Sequence, residues 1–190
     1  MKNTLYPAIK LLFAMTVLTG VIYPLVVTGI AQLLFSGPAN GSLIVHSGKT
    51  LGSSLIGQPF ADPKYFWGRP SATTPFANNS ASSGSSNLGP TNSALTDAVK
   101  QRIDALHAAD PGNSAPVPVD LVTASGSGLD PEISPAAAQY QLSRVARVRS
   151  LAEPEVAKLV AMATEGRQLG LLGEPRVNVL RLNLMLDGKL

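Results

Sequence analysis

The run LLFAMTVLTGVIYPLVVTGIAQLLF, residues 11–35, contains twenty-five residues and no charged side chain. A helix rises about 1.5 Å per residue, so a helix of this length can cross a hydrocarbon core about 30 Å thick. Lys2 and Lys10 precede the run, and the next basic residue is Lys49. Because positive charge stays on the cytoplasmic side of a membrane helix, we predict a cytoplasmic N-terminus and an external location for the rest of the chain.

A cleaved secretory signal is the alternative explanation of this run. The apolar core of such a signal is roughly 7–15 residues long and ends at a small-residue cleavage site. The run here is longer, contains Pro24 and continues into Phe35-Ser-Gly-Pro, so a retained anchor is favoured. The predicted organisation is a cytoplasmic segment 1–10, a transmembrane helix 11–35 and an extracytoplasmic domain 36–190, in a single-pass protein of the cell inner (plasma) membrane.

Small residues and one proline recur every four positions along the predicted membrane helix. They are Thr16, Gly20, Pro24 and Thr28. Membrane helices associate through close backbone approach over small residues, and Pro frees one backbone carbonyl that a neighbouring helix can satisfy. We therefore take Gly20 and Pro24 as candidate contacts with a partner helix. The alternative is that Gly and Pro are simply common in membrane helices.

The composition after residue 35 limits the possible functions. All 12 acidic residues lie there with 13 of the 15 basic ones, so this domain is nearly neutral and nucleic-acid binding is not expected. Its one basic cluster, Arg144, Arg147 and Arg149, is interpreted as a solvated helix end. The chain has no Cys, which excludes disulfides, thiolate metal sites and Cys catalysis. The length fits one domain with its own core.

Residue patterns predict a mixed α/β fold for residues 36–190. Short strands are expected at 42–45 and 54–56, a flexible loop at 77–92, and an extended segment at 117–123. Helices are expected from an N-cap at Ser93 to about Asp110, from Ser134 to about Arg149, and from near Pro154 to Gly166. Residues 177–184 favour a strand, although the end of that segment also fits a helical turn. The predicted fold class is thus a single N-terminal transmembrane α-helix followed by one mixed α/β extracytoplasmic domain.

No arrangement of residues predicts catalysis or a metal site. Gly48-Lys-Thr50 matches only the end of a phosphate-binding loop, since position 43 is Leu where that motif needs Gly. A nucleophile elbow, GxSxG, centred on Ser127 would need Gly at position 125, where this chain has Ser. His107 fits a surface helix and His46 a turn, so neither is assigned to a triad. An anchored extracytoplasmic hydrolase or binding module stays open as the alternative function.

Several blocks of non-periodic composition resemble the KdpC family, the C subunit of the Kdp-type potassium-transporting ATPase. The resemblance runs essentially end to end and depends on the order of the blocks. They are Gly20-Val-Ile-Tyr-Pro-Leu25, Asn40-Gly-Ser-Leu-Ile44, Gly52-Ser-Ser-Leu-Ile-Gly-Gln-Pro-Phe60, Tyr65-Phe-Trp-Gly-Arg-Pro-Ser-Ala72, Ser83-Gly-Ser-Ser-Asn-Leu-Gly89, Val117-Pro-Val-Asp-Leu-Val-Thr-Ala-Ser125, Gly128-Leu-Asp-Pro-Glu-Ile-Ser-Pro-Ala136, Val177-Asn-Val-Leu180 and Leu182-Asn183.

The resemblance implies a non-catalytic accessory subunit of an ATP-driven potassium uptake pump. Its partners would be a potassium-translocating subunit, a P-type ATPase subunit, and a small single-span subunit. The family is described as a catalytic chaperone that raises the ATP affinity of the P-type ATPase subunit, which implies nucleotide contact at Ser83, Gly84, Ser85, Ser86 and Asn87. The predicted topology opposes direct contact because ATP is cytoplasmic. We therefore expect no cofactor of its own, and ATP only through the complex.

The densest aromatic cluster of the domain lies next to an arginine, within Tyr65, Phe66, Trp67 and Arg69. Aromatic residues and Arg dominate buried protein contacts, so this segment is a candidate docking surface. The alternative is that it fixes the loop to the domain's own core. Asp120 and Asp130 are expected to accept hydrogen bonds within loops and not to bind potassium.

Overall fold

The computed structural model describes residues 2–190, and the chain divides into two compact units, with the boundary in the sequence after Ser42. The first unit is helical. It comprises α1 (Lys2–Val17), a π-helical turn (Leu18–Ile22), α2 (Tyr23–Leu34) and the short α3 (Ser36–Ala39). The helices from α1 to α2 form a candidate membrane span, Thr4–Leu34. Its most apolar stretch of 18 residues has a mean hydropathy of 2.1 and contains no buried residue. A signal sequence would meet the same criteria of length and composition.

The π-helical turn lies directly before Pro24 and has a local cause. Pro24 has no N–H, and its ring would clash with the carbonyl of Gly20 in a regular helix. The helix widens here, and the Tyr23 N–H donates to the Leu18 carbonyl five residues back. Such π turns are a recognised way for a helix to absorb an interruption. The helix also begins at Lys2, before the predicted position 11.

The second unit begins with a hairpin and a long irregular segment. Strands β1 (Leu43–His46) and β2 (Lys49–Ser53) pair antiparallel. After residues without regular structure come α4 (Ser93–Ala109) and a 3₁₀ turn (Val119–Leu121). The mixed α/β character predicted for this part of the chain is confirmed.

The core of the second unit lies where three helices pack around a small sheet. The helices are α5 (Pro135–Arg149), α6 (Glu153–Ala163) and α7 (Val179–Leu186); the strands are β3 (Glu132–Ile133), β4 (Thr164–Glu165) and β5 (Arg176–Asn178). The strands are antiparallel in the order β3-β5-β4. Val145, Val156, Val177 and Leu182 are fully buried between these layers.

Several predicted elements differ from the structure. The strand predicted at 177–184 is wrong beyond Asn178, because the Asn178 side chain accepts from the Arg181 N–H at 3.0 Å and starts α7 instead. Residues 54–56 do not form a strand; β2 ends at Ser53. The cap of α4 is Asn92 and not Ser93. The segment predicted as extended at 117–123 contains the 3₁₀ turn.

A candidate docking segment and its clamp

Residues 63–69, which we call the clamped segment, have no regular secondary structure and run from the exposed Pro63 to the core of the second unit at Phe66. Phe66 within it is fully buried, and Tyr65, Trp67 and Arg69 are half-buried. Buried backbone polar groups need partners, and this segment finds them in side chains of α5 and α7. The buried part of this irregular segment is thus held by side-chain hydrogen bonds and not by those of a β-sheet.

Two amide side chains bind consecutive residues of the clamped segment. Asn183, on α7, accepts from the Phe66 N–H and donates to the Phe66 carbonyl, both at 2.9 Å. Gln141, on α5, accepts from the Trp67 N–H at 2.8 Å and donates to the Trp67 carbonyl at 3.1 Å. An amide offers one donor and one acceptor group, so each side chain imitates the edge of a neighbouring strand. Both amides are almost completely buried.

Arg144 completes the clamp from one turn further along α5. Its guanidinium donates to the carbonyls of Pro63 and Tyr65 and, at 2.7 Å, to the Gln141 side-chain oxygen. It also lies 4.6 Å from the centre of the Trp67 ring. Burial lowers the pKa of Arg144 to about 10, which leaves the group charged at neutral pH. Its charge is therefore held in the interior by carbonyl oxygens and an aromatic ring.

Arg149 anchors the start of the same segment. It donates to the Lys64 carbonyl at 2.7 Å and to Asp187 at 2.8 Å, and the Tyr65 hydroxyl donates to the second Asp187 oxygen at 2.9 Å. Partial burial acts to raise the pKa of Asp187, but hydrogen bonds from Arg149, Lys189 and Tyr65 outweigh it and lower the pKa below its usual value. Asp187 is thus a charged acceptor that ties the C-terminal end of α7 to Tyr65.

The interpretation of the basic cluster as a solvated helix end is wrong for two of its three members. Arg144 is 2% exposed, and the Arg149 side chain is 13% exposed. Only Arg147 points to solvent, with a side chain 57% exposed and paired with Asp110 at 2.8 Å. The reason is tertiary packing: the carbonyls of Lys64 and Tyr65 and the carboxylate of Asp187 lie against this end of α5 and accept from Arg144 and Arg149.

Arg69 ends the clamped segment in an ion pair. Its Nη1 lies 3.0 Å from Asp130 Oδ2, while the other Asp130 oxygen accepts from the Glu132 N–H. The loop-fixing role expected for Asp130 is confirmed, as is that of Asp120, which accepts from the Ser134 N–H at 2.7 Å. The buried Nε of Arg69 has no hydrogen-bond partner in the described residues.

A cavity of about 490 Å³ opens beside the clamped segment. Phe60, Trp67 and Leu106 give it apolar walls, and Arg69 and Arg102 add two guanidinium groups. Aromatic and Arg side chains are enriched in protein contacts. Trp67 and Arg69 therefore remain docking candidates, whereas burial assigns Phe66 to the core.

The Gly/Ser-rich stretch predicted to be a flexible loop is partly fixed to a neighbouring turn. Gly84 donates to the Ser127 carbonyl at 2.9 Å, and the Ser83 hydroxyl donates to the same oxygen at 3.0 Å. Gly128 has a φ of +69°, and a Cβ there would lie 2.6 Å from the Gly84 carbonyl oxygen, so only glycine fits. Ser85 donates to Asn87 at 2.7 Å, and Ser86 is exposed. The stretch is separate in sequence and partners from the clamp.

The histidines give no catalytic arrangement in the described part of the chain. His46 ends β1 and does not lie in a turn as predicted; His107 lies on the exposed side of α4. Among the described residues no three His, Cys, Asp or Glu side chains group as metal ligands.

Comparison with known proteins decides the family. The family described as KdpC, K+-transporting ATPase, c chain, matches residues 5–188. The chain belongs to the KdpC family. Relatives named potassium-transporting ATPase KdpC subunit include those of Methylococcus capsulatus, 65% identical over 187 residues (98% of this chain and 98% of that protein), Polaromonas naphthalenivorans, 68% identical over 187 residues (98% and 95%), and Herpetosiphon aurantiacus, 61% identical over 187 residues (98% and 97%).

Sequence reasoning missed the clamp residues of this KdpC chain. In the sequence analysis Asn183 appears only as part of the block Leu182-Asn183 that resembles the family, and Gln141 belongs to none of the motifs. One signal is present: Gln141 and Arg144 are three residues apart on a helix face otherwise formed by Ala137, Ala138 and Val145, all buried. Polar side chains on an apolar face need internal partners. The pattern could have indicated a buried polar site but not the segment it binds.

Proposed function

We propose that this chain is the non-catalytic accessory subunit of an ATP-driven potassium uptake pump. In this proposal it joins the potassium-translocating subunit, the P-type ATPase subunit, and the small single-span subunit in the inner membrane. Membership of the KdpC family supports this role. The single feature that carries the mechanism is the uncovered apolar helix, with Lys2 and Lys10 before its apolar run and no Lys or Arg after that run until Lys49.

The proposed topology separates this chain from the nucleotide. Lys2 and Lys10 precede the apolar run and no basic residue follows it until Lys49, which favours a cytoplasmic N-terminus. The domain from residue 36 onward would then lie outside, where it could stabilise assembly by capping the outer mouth of the potassium-translocating subunit. Any increase in the ATP affinity of the P-type ATPase subunit would pass through the complex and would not need contact at Ser83–Asn87.

The first prediction concerns assembly through the membrane helix. Gly20 is exposed and nothing lies within 4 Å of the position its Cβ would occupy, so Gly20→Leu leaves this helix intact but blocks close approach of a partner helix. We expect tagged wild-type chain, extracted in mild detergent, to co-purify the potassium-translocating and P-type ATPase partners with ATPase activity. The variant should recover about tenfold less of them, about 1.4 kcal/mol.

Gly29→Leu is the matched control, because Gly29 is equally open but lies outside the Thr16-Gly20-Pro24-Thr28 stripe. It should retain the partners. Recovery unchanged by Gly20→Leu would remove the partner-helix interpretation. A wild-type chain that purifies alone from cells making the pump would contradict the accessory-subunit proposal and favour the anchored hydrolase or binding module.

The second prediction concerns topology. The native chain has no Cys, and Ser83 is exposed, so Ser83→Cys introduces one accessible thiol. We expect a membrane-impermeant maleimide to label this thiol in intact cells, once it can reach the outer face of the inner membrane, and Asn3→Cys, in the predicted cytoplasmic segment, to react only after the membrane is opened. The reverse pattern would place the folded domain in the cytoplasm and restore direct nucleotide contact at residues 83–87.

A further inference from the structure

The cavity beside the clamped segment reaches the core of the second unit. Leu106, on α4, and Leu121, in the 3₁₀ turn, form part of its lining and are each only 4% exposed. Phe60 and Trp67 add two aromatic side chains. Ligand cavities in proteins measure about 300–1,000 Å³ and combine apolar walls with a few polar groups. At about 490 Å³, this cavity has the size and the walls of a small-molecule site.

Hydrogen bonds within the chain already fix the walls of this cavity. The indole N–H of Trp67 donates to the Asp62 carbonyl at 3.1 Å, and Gln141 holds the Trp67 backbone. Elsewhere in the lining, the Ser71 hydroxyl accepts from the Asn78 N–H at 2.9 Å. A cavity with ordered walls loses less conformational entropy when it takes up a ligand. Because its indole N–H is already bonded, the Trp67 side chain offers a ligand apolar surface only.

Arg102 is the uncompensated charge in this cavity. Among the described residues that line it, Arg69 and Arg102 are charged and none is acidic. Arg69 is neutralised by Asp130 at 3.0 Å. Arg102 forms no ion pair with any described residue, and its one hydrogen bond to them runs from Nη1 to the Val122 carbonyl at 2.7 Å. Burial lowers the pKa of Arg102, and no neighbouring carboxylate acts against that shift.

The charge and the walls together select the class of ligand. A charge that is partly removed from water needs an opposite charge or hydrogen-bond partners, and a carboxylate suits a guanidinium because its two oxygens accept parallel N–H bonds. An inorganic anion would leave the walls at Leu106 and Leu121 without contact. A single acidic side chain of another protein would fill only part of the volume. An organic carboxylate with an apolar or aromatic body satisfies both the charge and the walls.

We propose that this cavity binds a small organic carboxylate, with the carboxylate paired to Arg102 and the apolar body packed against Phe60 and Trp67. Such a ligand would bridge α4 to the clamped segment. The site goes beyond the proposed accessory role and does not depend on it, since the residues that form it all lie in the second unit. The stretch Ser83–Asn87 contributes no residue to the described lining.

Fluorescence of the purified full-length chain in detergent tests the site. Trp67 is the only tryptophan of the chain and lies in the cavity wall, so its emission responds to occupation. The probes are phenylpropanoate and its neutral isostere phenylpropanamide, which share one apolar body. We expect a saturable change with phenylpropanoate and binding of the amide that is weaker by about tenfold, since only the carboxylate pairs with Arg102. Equal affinities, or no saturable change with phenylpropanoate, would overturn the proposal.

Substitution of Arg102 assigns the effect to this residue. Arg102→Gln should weaken binding of phenylpropanoate by about tenfold and leave binding of the amide unchanged, whereas Arg102→Lys, which keeps the charge, should recover part of the loss. Lys100→Gln is the matched control, because it removes a cation from an exposed position of α4 outside the lining. An equal loss from Lys100→Gln would contradict the site. Should Arg102→Gln not fold, the ratio of the two affinities in the wild type and in Arg102→Lys decides the same point.

The assembled pump distinguishes a free ligand from a carboxylate of another subunit. Equilibrium binding of radiolabelled phenylpropanoate, taken as the part lost in Arg102→Gln, is measured for the complex extracted in mild detergent and for the isolated chain. We expect the same affinity in both, because a small-molecule site stays open after assembly. Loss of binding in the complex would show that a neighbouring subunit covers the cavity, and would overturn the proposal. Failure of the chain to join the pump contradicts the accessory function alone, because the fluorescence test needs no partner.

Discussion

Arg144→Met is expected to lower the free energy of unfolding of the Leu43–Leu190 unit by about 3 kcal/mol. The substitution keeps an unbranched side chain of similar reach but leaves the carbonyls of Pro63 and Tyr65 without this donor and removes one of the two hydrogen bonds that the Gln141 oxygen accepts. Relief of the buried charge offsets part of this loss, as the pKa lowered to about 10 indicates. Two carbonyl acceptors left without this donor, at about 1–3 kcal/mol each, outweigh that relief.

Chemical denaturation in detergent measures this effect. Trp67 is the only tryptophan and lies in the clamped segment, so its fluorescence reports the relevant unfolding. Arg181→Met is the control: its side chain on α7 is 52% exposed, its partner Glu165 is 46% exposed, and exposed ion pairs are worth about 0–1 kcal/mol. Equal losses from the two substitutions would contradict the assignment of Arg144 as a structural clamp.

Asn183→Leu is expected to cost about 2–4 kcal/mol, because it leaves both backbone groups of Phe66 buried without partners. Leucine branches at the same carbon as asparagine and is somewhat larger, so packing changes little while both 2.9 Å hydrogen bonds disappear. The loss should appear as a lower denaturant midpoint with an unchanged slope, which separates stability from a change in compactness.

Asn113→Leu is the matched control for this substitution. Asn113 also bonds backbone groups, donating to the Tyr140 carbonyl at 2.9 Å and accepting from the Ala115 N–H at 3.1 Å. It is only half-buried, so water can replace its hydrogen bonds, and we expect a loss of about 1 kcal/mol. If Asn183→Leu lowers the free energy of unfolding no more than Asn113→Leu does, the hydrogen bonds of the clamp contribute no more stability than ordinary hydrogen bonds in a loop.

Local sequence signals predict those elements whose stabilising contacts are close in the chain. Ser134 is expected to begin a helix, and its hydroxyl accepts from the Ala137 N–H at 3.0 Å. The apolar run after Lys10 is expected to be helical and is. The final segment is predicted less well, because apolar residues alternate from Leu180 to Leu184 as they would in a strand. The side chain of Asn178 caps this segment, which forms the helix α7 instead.

Residue patterns along the chain are sufficient to predict the apolar helix, the mixed α/β class and, through ordered blocks of unusual composition, the family. Each of these depends on composition or on residues near each other in the chain. Tertiary packing places Phe66 in the core, buries Arg144 and brings the Asn183 side chain to a backbone 117 residues away. Such partners are chosen by how α5 and α7 pack, and a buried backbone group accepts any donor or acceptor that packing brings within about 3 Å.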